Sequence, residues 1–203
     1  MAYDKVSRYP LDRQLADILS SGETPRLLLH CCCAPCASYV LEYLSPFFEI
    51  SILFYNPNIF PEDEYYKRKA ELQKLLSQAS YPNRVDMLDC AYEPEAFAAV
   101  ATPFLEEPEG GRRCRECFTL RLGETARRAK EGGYDYFTTT LSVSPHKDAA
   151  VLNEIGDKLA KEHGVGYLIA DFKKRDGYKR SVNLSNQYGL YRQTYCGCVS
   201  VPA

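Results

Sequence analysis

The chain contains no tryptophan, only two methionines and only three histidines in 203 residues. It also lacks strong charge of either sign, since 25 basic and 27 acidic residues leave a net charge of −2. Such a chain has no global attraction to nucleic acid, so any RNA-binding surface must come from local clustering of cations. No apolar run approaches the roughly 18 residues needed to span a membrane. The first 26 residues are charged throughout and lack the apolar block of a signal peptide. A cytoplasmic location without membrane contact is therefore expected. Neither G-x-x-x-x-G-K-[ST] nor G-x-G-x-x-G occurs. The turn after the first expected strand is Cys-Cys-Ala-Pro-Cys, with no glycine to let backbone amides cradle a phosphate. ATP and NAD are thus not expected as cofactors. Internal repeats and low-complexity segments are absent, and an apolar fraction of 45% is enough to fill a core.

Cysteine is what the chain has in excess. Nine occur, in the groups Cys31, Cys32, Cys33 and Cys36; Cys114 and Cys117; and Cys196 and Cys198, with Cys90 alone. In a reducing compartment, grouped thiols point to metal or redox chemistry rather than to structural disulfides. Cys31 and Cys90 read as core residues.

Hydrophobic periodicity predicts alternating strands and helices. Strands are expected over 26–30, 50–55, 84–88, 134–140 and 166–170. Helices are expected over 10–19, 36–44, 62–78, 93–100 and 114–130, and from Ser144-Pro145 to about His163. Residues 172–203 read as irregular, with one short helix near 182–188. The expected architecture is a single α/β domain spanning 1–203, a three-layer sandwich around a mostly parallel sheet, with 1–25 as a lead-in helix. In such folds ligands sit at the carboxyl ends of the strands. Cys32, Cys33, Asn56, Asn58, Thr140 and Asp171 all follow expected strands.

Cys114 and Cys117, three apart at a helix start, can reach one centre, and the helix amino end and Arg112, Arg113 and Arg115 favour thiolates. Alone, CxxC is ambiguous among zinc, iron–sulfur and redox disulfide. Together with Cys32 and Cys33 it offers four thiolates, which suits zinc or a [4Fe–4S] cluster. Cys196-Gly197-Cys198 reads as a redox pair, as two further metal ligands, or as incidental. His146, expected at a helix start, is a candidate proton donor or substrate-orienting group. His30 reads as a satisfied core histidine and His163 as structural. The basic and aromatic run from Phe172 to Arg180, with Tyr188, Tyr191, Arg192 and Tyr195, offers cations for phosphates and rings for unstacked bases. Asp63, Glu64, Lys67, Arg68 and Lys69 read as a solvated helix face. A metal-free thiol–disulfide oxidoreductase and a zinc-stabilised RNA-binding module remain open as alternatives.

Several strings in one order carry a more specific signal: Leu29-His-Cys-Cys-Cys-Ala-Pro-Cys36, Phe54-Tyr-Asn-Pro-Asn58, Cys114-Arg-Glu-Cys-Phe-Thr-Leu-Arg-Leu122, Phe137-Thr-Thr-Thr-Leu-Ser-Val-Ser-Pro-His-Lys147, Asp171-Phe-Lys-Lys174 and Tyr191-Arg-Gln-Thr-Tyr-Cys-Gly-Cys198. Over about residues 26–199 the chain resembles the QueH family of epoxyqueuosine reductases. The resemblance implies a fold like that of the adenine-nucleotide α-hydrolases (HUP-like). It implies cobalamin-independent reduction of the epoxide of epoxyqueuosine to an alkene at the wobble position of tRNA, the last step of queuosine biosynthesis. Its [4Fe–4S] ligands fall by position on Cys32, Cys33, Cys114 and Cys117, and its redox-active pair on Cys196 and Cys198. A second metal beside the cluster, taken as a mononuclear iron, makes Cys36 a further candidate ligand. Lys173, Lys174, Lys179, Arg180 and Arg192 become candidate tRNA contacts. An external electron donor is required, and a monomer is the working expectation.

Overall fold

The computed structural model describes residues 7–198. Residues 1–6 and 199–203, which the expected lead-in and tail include, lie outside the described residues. In chain order the elements are α1 (Pro10–Ser21), β1 (Arg26–His30), α2 (Ala34–Leu44), β2 (Glu49–Leu53), α3 (Glu62–Gln78), β3 (Val85–Met87), α4 (Pro94–Ala101), α5 (Arg112–Glu131), β4 (Tyr136–Thr139), α6 (Ala149–His163), β5 (Gly166–Tyr167) and α7 (Gly177–Gln187).

Side chains alternate along a strand, and here both faces are apolar. Leu27 and Leu29 join Ile50 and Ile52 in one core, built with Leu15 of α1, Val40 and Leu41 of α2, and Leu72 and Leu75 of α3. Leu28 points the other way, into a core with Leu53, Phe137, Leu122 and Ala126 of α5, and Leu152 of α6. A strand apolar on both faces must be covered on both. Leu27, Leu28 and Leu29 are fully buried, and each such leucine stabilises the fold by about 1.5–3 kcal/mol. Three layers follow: helices, sheet, helices.

The sheet order is β3-β2-β1-β4-β5, and every pairing is parallel. The chain begins at the central strand, winds outward to β3, and then returns to the other side of β1. The switch in direction lies between β1 and β4, where Leu29 pairs with both Ile52 and Thr138. Beyond a switch point the loops splay apart and leave a crevice at the carboxyl ends of the strands.

Two expectations fail here. The helix expected to open at Ser144-Pro145 begins at Ala149, because the Asp148 side chain accepts hydrogen bonds from the amides of Ala150 (2.8 Å) and Val151 (3.5 Å). An aspartate cap of this kind fixes a helix start more strongly than a proline upstream. His146 therefore sits in the preceding turn, not at a helix start. The tail is also less irregular than expected. The helix near 182–188 starts five residues earlier, at Gly177, and packs on α2. A Cβ at Gly177 would lie 1.9 Å from the Phe172 carbonyl oxygen and 2.5 Å from the Tyr39 ring. Only glycine permits that approach. Residues 188–198 are irregular, as expected.

Candidate active site

The first cysteine group occupies the junction of β1 and α2. Cys31 ends the strand, is fully buried and packs in the first core. Burial, followed by the neighbouring Cys32 and Cys33, pushes its thiol up. Cys90 is likewise buried, in the second core. Both are core residues, as read from the sequence.

Cys32 turns toward the switch point. Its amide donates to Thr140 Oγ1 at 3.2 Å, and that hydroxyl lies 3.5 Å from its Sγ. The sulfurs of Cys32, Cys33 and Cys36 all lie within 4.8 Å of one another, with Cys32 and Cys33 at 3.7 Å. The three thiols hydrogen-bond one another. Hydrogen bonds from Cys33 and then Cys36, followed by the Arg121 guanidinium and the Thr140 hydroxyl, hold Cys32 well below the ordinary thiol range. The same contacts push Cys33 and Cys36 up.

Arg121 is the buried pivot of the site, at 2% exposure. It lies on α5 one turn beyond Cys117 and two beyond Cys114, so all three share a helix face. Its Nη1 donates to Cys117 Sγ at 3.7 Å, its Nη2 to Asn56 Oδ1, and its Nε to His30 Nε2 at 3.3 Å. Burial opposes the guanidinium charge, and the sulfurs of Cys117, Cys32 and Cys196 more than offset this. His30 is fully buried, and burial followed by the Arg121 charge pushes it down to about 3. Its Nδ1 lies 2.8 Å from Thr139 Oγ1 and its Nε2 3.1 Å from the Tyr55 carbonyl oxygen, so both ring nitrogens have partners. The reading of His30 as a satisfied core residue holds.

The expected ligand pair on α5 is buried beside this cation. Burial pushes the Cys117 thiol up, and Cys114 Sγ accepts the Gly110 amide at 3.3 Å. Cys114 belongs to the second core, against which Cys32 packs, and Cys117 and Cys198 belong to a small cluster with Phe97 and Ala101. Among the described residues, the compact sulfur group is nevertheless Cys32, Cys33 and Cys36, and Cys114 and Cys117 are not within it. The donor set fits a soft thiophilic metal centre. It is rich in sulfur, partly screened from water, served by N–H donors, and has a fixed cation to offset thiolate charge.

Cys196 reaches the same cleft on an irregular segment held by groups from elsewhere, with Cys198 buried behind it. Arg68 Nη1 donates to the Cys196 carbonyl at 2.9 Å, and the Phe60 amide donates to the Gly197 carbonyl at 3.0 Å. Gly197 has φ +106°, in the left-handed region, with Ile59 and Arg68 at 3.4 Å from where a Cβ would stand. Lys147, itself buried, donates to Glu109 at 2.7 Å and lies 3.6 Å from Cys196 Sγ. Burial opposes the ammonium, but Cys196 and Glu109 hold it charged. A hydrogen bond from Cys198, and then the charges of Lys147 and Arg121, bring Cys196 down to about 5 against the effect of burial. The same hydrogen bond, with burial, pushes Cys198 up. The pair is therefore asymmetric, with a thiolate at Cys196 and a thiol at Cys198.

The cleft, about 430 Å³, is lined by Cys32, Cys33, Cys36, Cys196, His146 and Arg192 among others. The remaining candidate cations separate. Lys173 pairs with Asp171 at 3.0 Å and donates to the Lys147 carbonyl. Lys174 lines a different groove, with Arg175 and Tyr9. Arg180 pairs with Glu42, and Lys179 is exposed. One expectation is overturned: Glu64 and Arg68 are buried and ion-paired at 2.7 Å rather than solvated. Their i, i+4 spacing also suits a surface pair, so only the distant Cys196 carbonyl distinguishes the two. Arg121 and Lys147 went unassigned in the sequence. Arg121 could have been noticed, because it continues the helical face of Cys114 and Cys117.

Among the described residues, no helix is long and apolar enough to cross a membrane. Comparison with known proteins adds identity to this geometry. The sequence profile of the family described as "Epoxyqueuosine reductase QueH" matches residues 27–201. The chain is 46% identical over 200 residues to the epoxyqueuosine reductase QueH of Streptococcus pyogenes serotype M1, covering 97% of this chain and 76% of that protein. It is 42% identical over 201 residues to the protein of that name from Staphylococcus epidermidis, covering 97% and 83%. It is 34% identical over 176 residues to the one from Thermotoga maritima, covering 85% and 88%. With its thiol-lined cleft at the switch point of a parallel sheet, the chain belongs to the epoxyqueuosine reductase QueH family, and is an oxidoreductase.

Proposed function

We propose that this cleft reduces epoxyqueuosine to queuosine at the wobble position of tRNA. The observation that carries the reading is the meeting of Cys32, Cys33 and Cys36 with Cys196 in one cleft. The name of the relatives, epoxyqueuosine reductase, supplies the substrate.

The balance is direct. An epoxide becomes an alkene by losing its oxygen as water, which takes two electrons and two protons. Cys196 and Cys198 supply both electrons when they close to a disulfide: epoxide plus the Cys196 thiolate, the Cys198 thiol and one further proton gives alkene, water and one S–S bond. Thiol–disulfide exchange with an external reductant then reopens the pair. Lys147 and Arg121 keep Cys196 as the thiolate, and Cys198 holds the proton. His146, exposed at the mouth of the cleft, is placed to deliver a proton to the departing oxygen.

Cys32, Cys33, Cys114 and Cys117 would hold a [4Fe–4S] cluster, with Cys36 free to hold an adjacent iron. Such a centre, when bound, supplies one-electron transfer and a Lewis acid for the epoxide oxygen. Around it, Thr140 and Arg121 orient and screen the sulfurs. Arg192 and Lys173 stand nearest the cleft as tRNA phosphate contacts, and Lys174, Lys179 and Arg180 extend the cationic surface outward. Free thiols throughout the described residues suit a reducing cytoplasm.

The test is anaerobic purification of the full chain, assay of iron, sulfide and zinc, and incubation with epoxyqueuosine-containing tRNA and a chemical reductant. Nucleoside mass spectrometry should show loss of one oxygen, by a protein that carries iron and sulfide. A colourless, metal-free protein with full turnover would refute the cluster. Stoichiometric zinc and tRNA binding without turnover would refute the reaction.

A further inference from the structure

Large exposed apolar side chains are few on this molecule. Among the described residues they are Leu19, Tyr66, Tyr178 and Tyr195. Two of these four, Tyr178 at 40% exposure and Tyr195 at 45%, line the thiol cleft. A single exposed ring says little. Two at the rim of one cleft, each set against an arginine, form a pattern. The Arg192 guanidinium stands over the Tyr178 ring at 5.2 Å, and that of Arg68 over the Tyr195 ring at 5.1 Å.

Both rings are placed by the fold. Tyr178 is the second residue of α7, whose first, Gly177, is pressed against Tyr39 and the Phe172 carbonyl. Tyr195 directly precedes Cys196, whose carbonyl Arg68 holds. Arg68 is 3% exposed, so it meets the Tyr195 ring from the protein side and leaves the outer face to solvent. The neighbouring rings are engaged elsewhere. Phe172 is buried, and Tyr188 packs on the first core. Tyr191 has Lys67 Nζ 3.5 Å from its ring centroid and donates its hydroxyl to Glu64 at 3.2 Å.

An open aromatic face attracts a planar, polarisable group, and the arginines beside it favour one joined to phosphate. The bases of a single RNA strand meet both conditions, and they stack on such rings with little regard to sequence. The wobble nucleotide can bring its epoxide ring to Cys196 only by leaving the stack of the anticodon loop, and the base on either side then loses a stacking partner.

We infer that Tyr178 and Tyr195 are stacking platforms for the two bases that flank the wobble nucleotide, and hold the loop open while that nucleotide enters the cleft. This rests on the epoxyqueuosine reading and adds to it how the anticodon loop is gripped. Because Tyr195 adjoins Cys196 in the chain, a base on its ring sets the next nucleotide beside the redox pair.

The test is a double-mutant cycle with the anaerobic, metal-loaded full chain. One change replaces a ring, Tyr178→Ala or Tyr195→Ala. The other makes one flanking nucleotide abasic in an anticodon stem-loop that carries epoxyqueuosine. Each change alone should weaken binding about tenfold. A ring and the base it stacks should together cost no more than either alone, whereas a ring and the other base should multiply. Tyr178→Phe and Tyr195→Phe should restore most of the affinity. The chain has no tryptophan, so Tyr178→Trp or Tyr195→Trp introduces a single indole. The intact stem-loop should quench its emission, and the matching abasic stem-loop should not. The two rings are tested separately, so if one variant does not fold the other decides. Losses that multiply for every pair overturn the platforms. Unchanged affinity in both Ala variants does the same, and is the result expected if the rings instead dock a protein electron donor, since only a small chemical reductant is present. Either result leaves the reaction standing when the parent chain turns over the stem-loop. No turnover of epoxyqueuosine-tRNA by the parent chain overturns the reaction, and the platforms with it.

Discussion

The two cysteine segments reach the same cleft by opposite means. Residues 32–36 are placed by the scaffold. They follow a central strand buried from Leu27 to His30, open a helix, and are pinned by Thr140 across the switch point. Residues 196–198 follow an irregular segment and are held by Arg68, Phe60 and Lys147, borrowed from residues 49 to 137 positions away. The first arrangement suits groups that must stay fixed, as metal ligands must. The second suits a pair that must open, close and meet an outside reductant. Acidity follows the same division: Cys32 is lowered while Cys33 and Cys36 are raised in the first set, and Cys196 is lowered while Cys198 is raised in the second.

The sharpest break in this comparison should come from Cys32→Ser. It should remove the iron and sulfide and lower turnover by more than about 100-fold, because even loss of a supporting group costs roughly 10–100-fold at metal sites. Cys196→Ser should also stop multiple turnover, yet leave the visible spectrum and iron content of the parent chain. If both variants lose the metal, the two segments do not have separate roles.

Arg121→Met sharpens the comparison from beneath. It leaves the buried Asn56 Oδ1 without its donor, at a cost of roughly 1–3 kcal/mol. Urea unfolding of the metal-free chain should show that loss. An unchanged midpoint would mean that the guanidinium does not hold the floor of the site.

Lys147→Met acts only on the second segment. Cys196 is the thiolate down to about pH 5, so its alkylation in the parent chain should change little from pH 8 to pH 6. Without the ammonium the thiolate is less stable, its pKa rises, and alkylation at pH 6 should slow about tenfold for each unit of that rise. Lys147→Arg should restore the profile, and the iron content should stay constant. An unaltered pH profile in Lys147→Met would remove the lysine from the account. The smallest effect is expected for Arg180→Ala, whose exposed pair with Glu42 contributes about 0–1 kcal/mol to stability. The salt dependence of tRNA binding should flatten by about one phosphate contact. No change in slope would withdraw Arg180 from the RNA surface.

The sequence made the scaffold more legible than the supports of the site. β1 over 26–30 and α3 over 62–78 could be read to the residue, because apolar runs and charged amphipathic periods are local signals. The grouped cysteines were equally plain. Lys147 and Arg68 were not, because burial of a cation depends on partners that only the fold brings near: Glu109 and Cys196 for the lysine, Glu64 and a tail carbonyl for the arginine. The start of α6 was misread because Asp148 caps it three residues after Pro145, and both residues are good start signals. Gly177 hid the true length of α7, since glycine reads as a breaker until a neighbouring tyrosine ring is seen against it.

The most direct measurement is a single turnover without an external donor. The reduced, metal-loaded chain is mixed with epoxyqueuosine-tRNA, quenched with an alkylating agent, and digested for mass spectrometry. One disulfide between Cys196 and Cys198 should appear for each queuosine formed, while the cysteines of residues 32–36 remain unlinked. Queuosine formed in full with Cys196 and Cys198 both still alkylated would contradict the account.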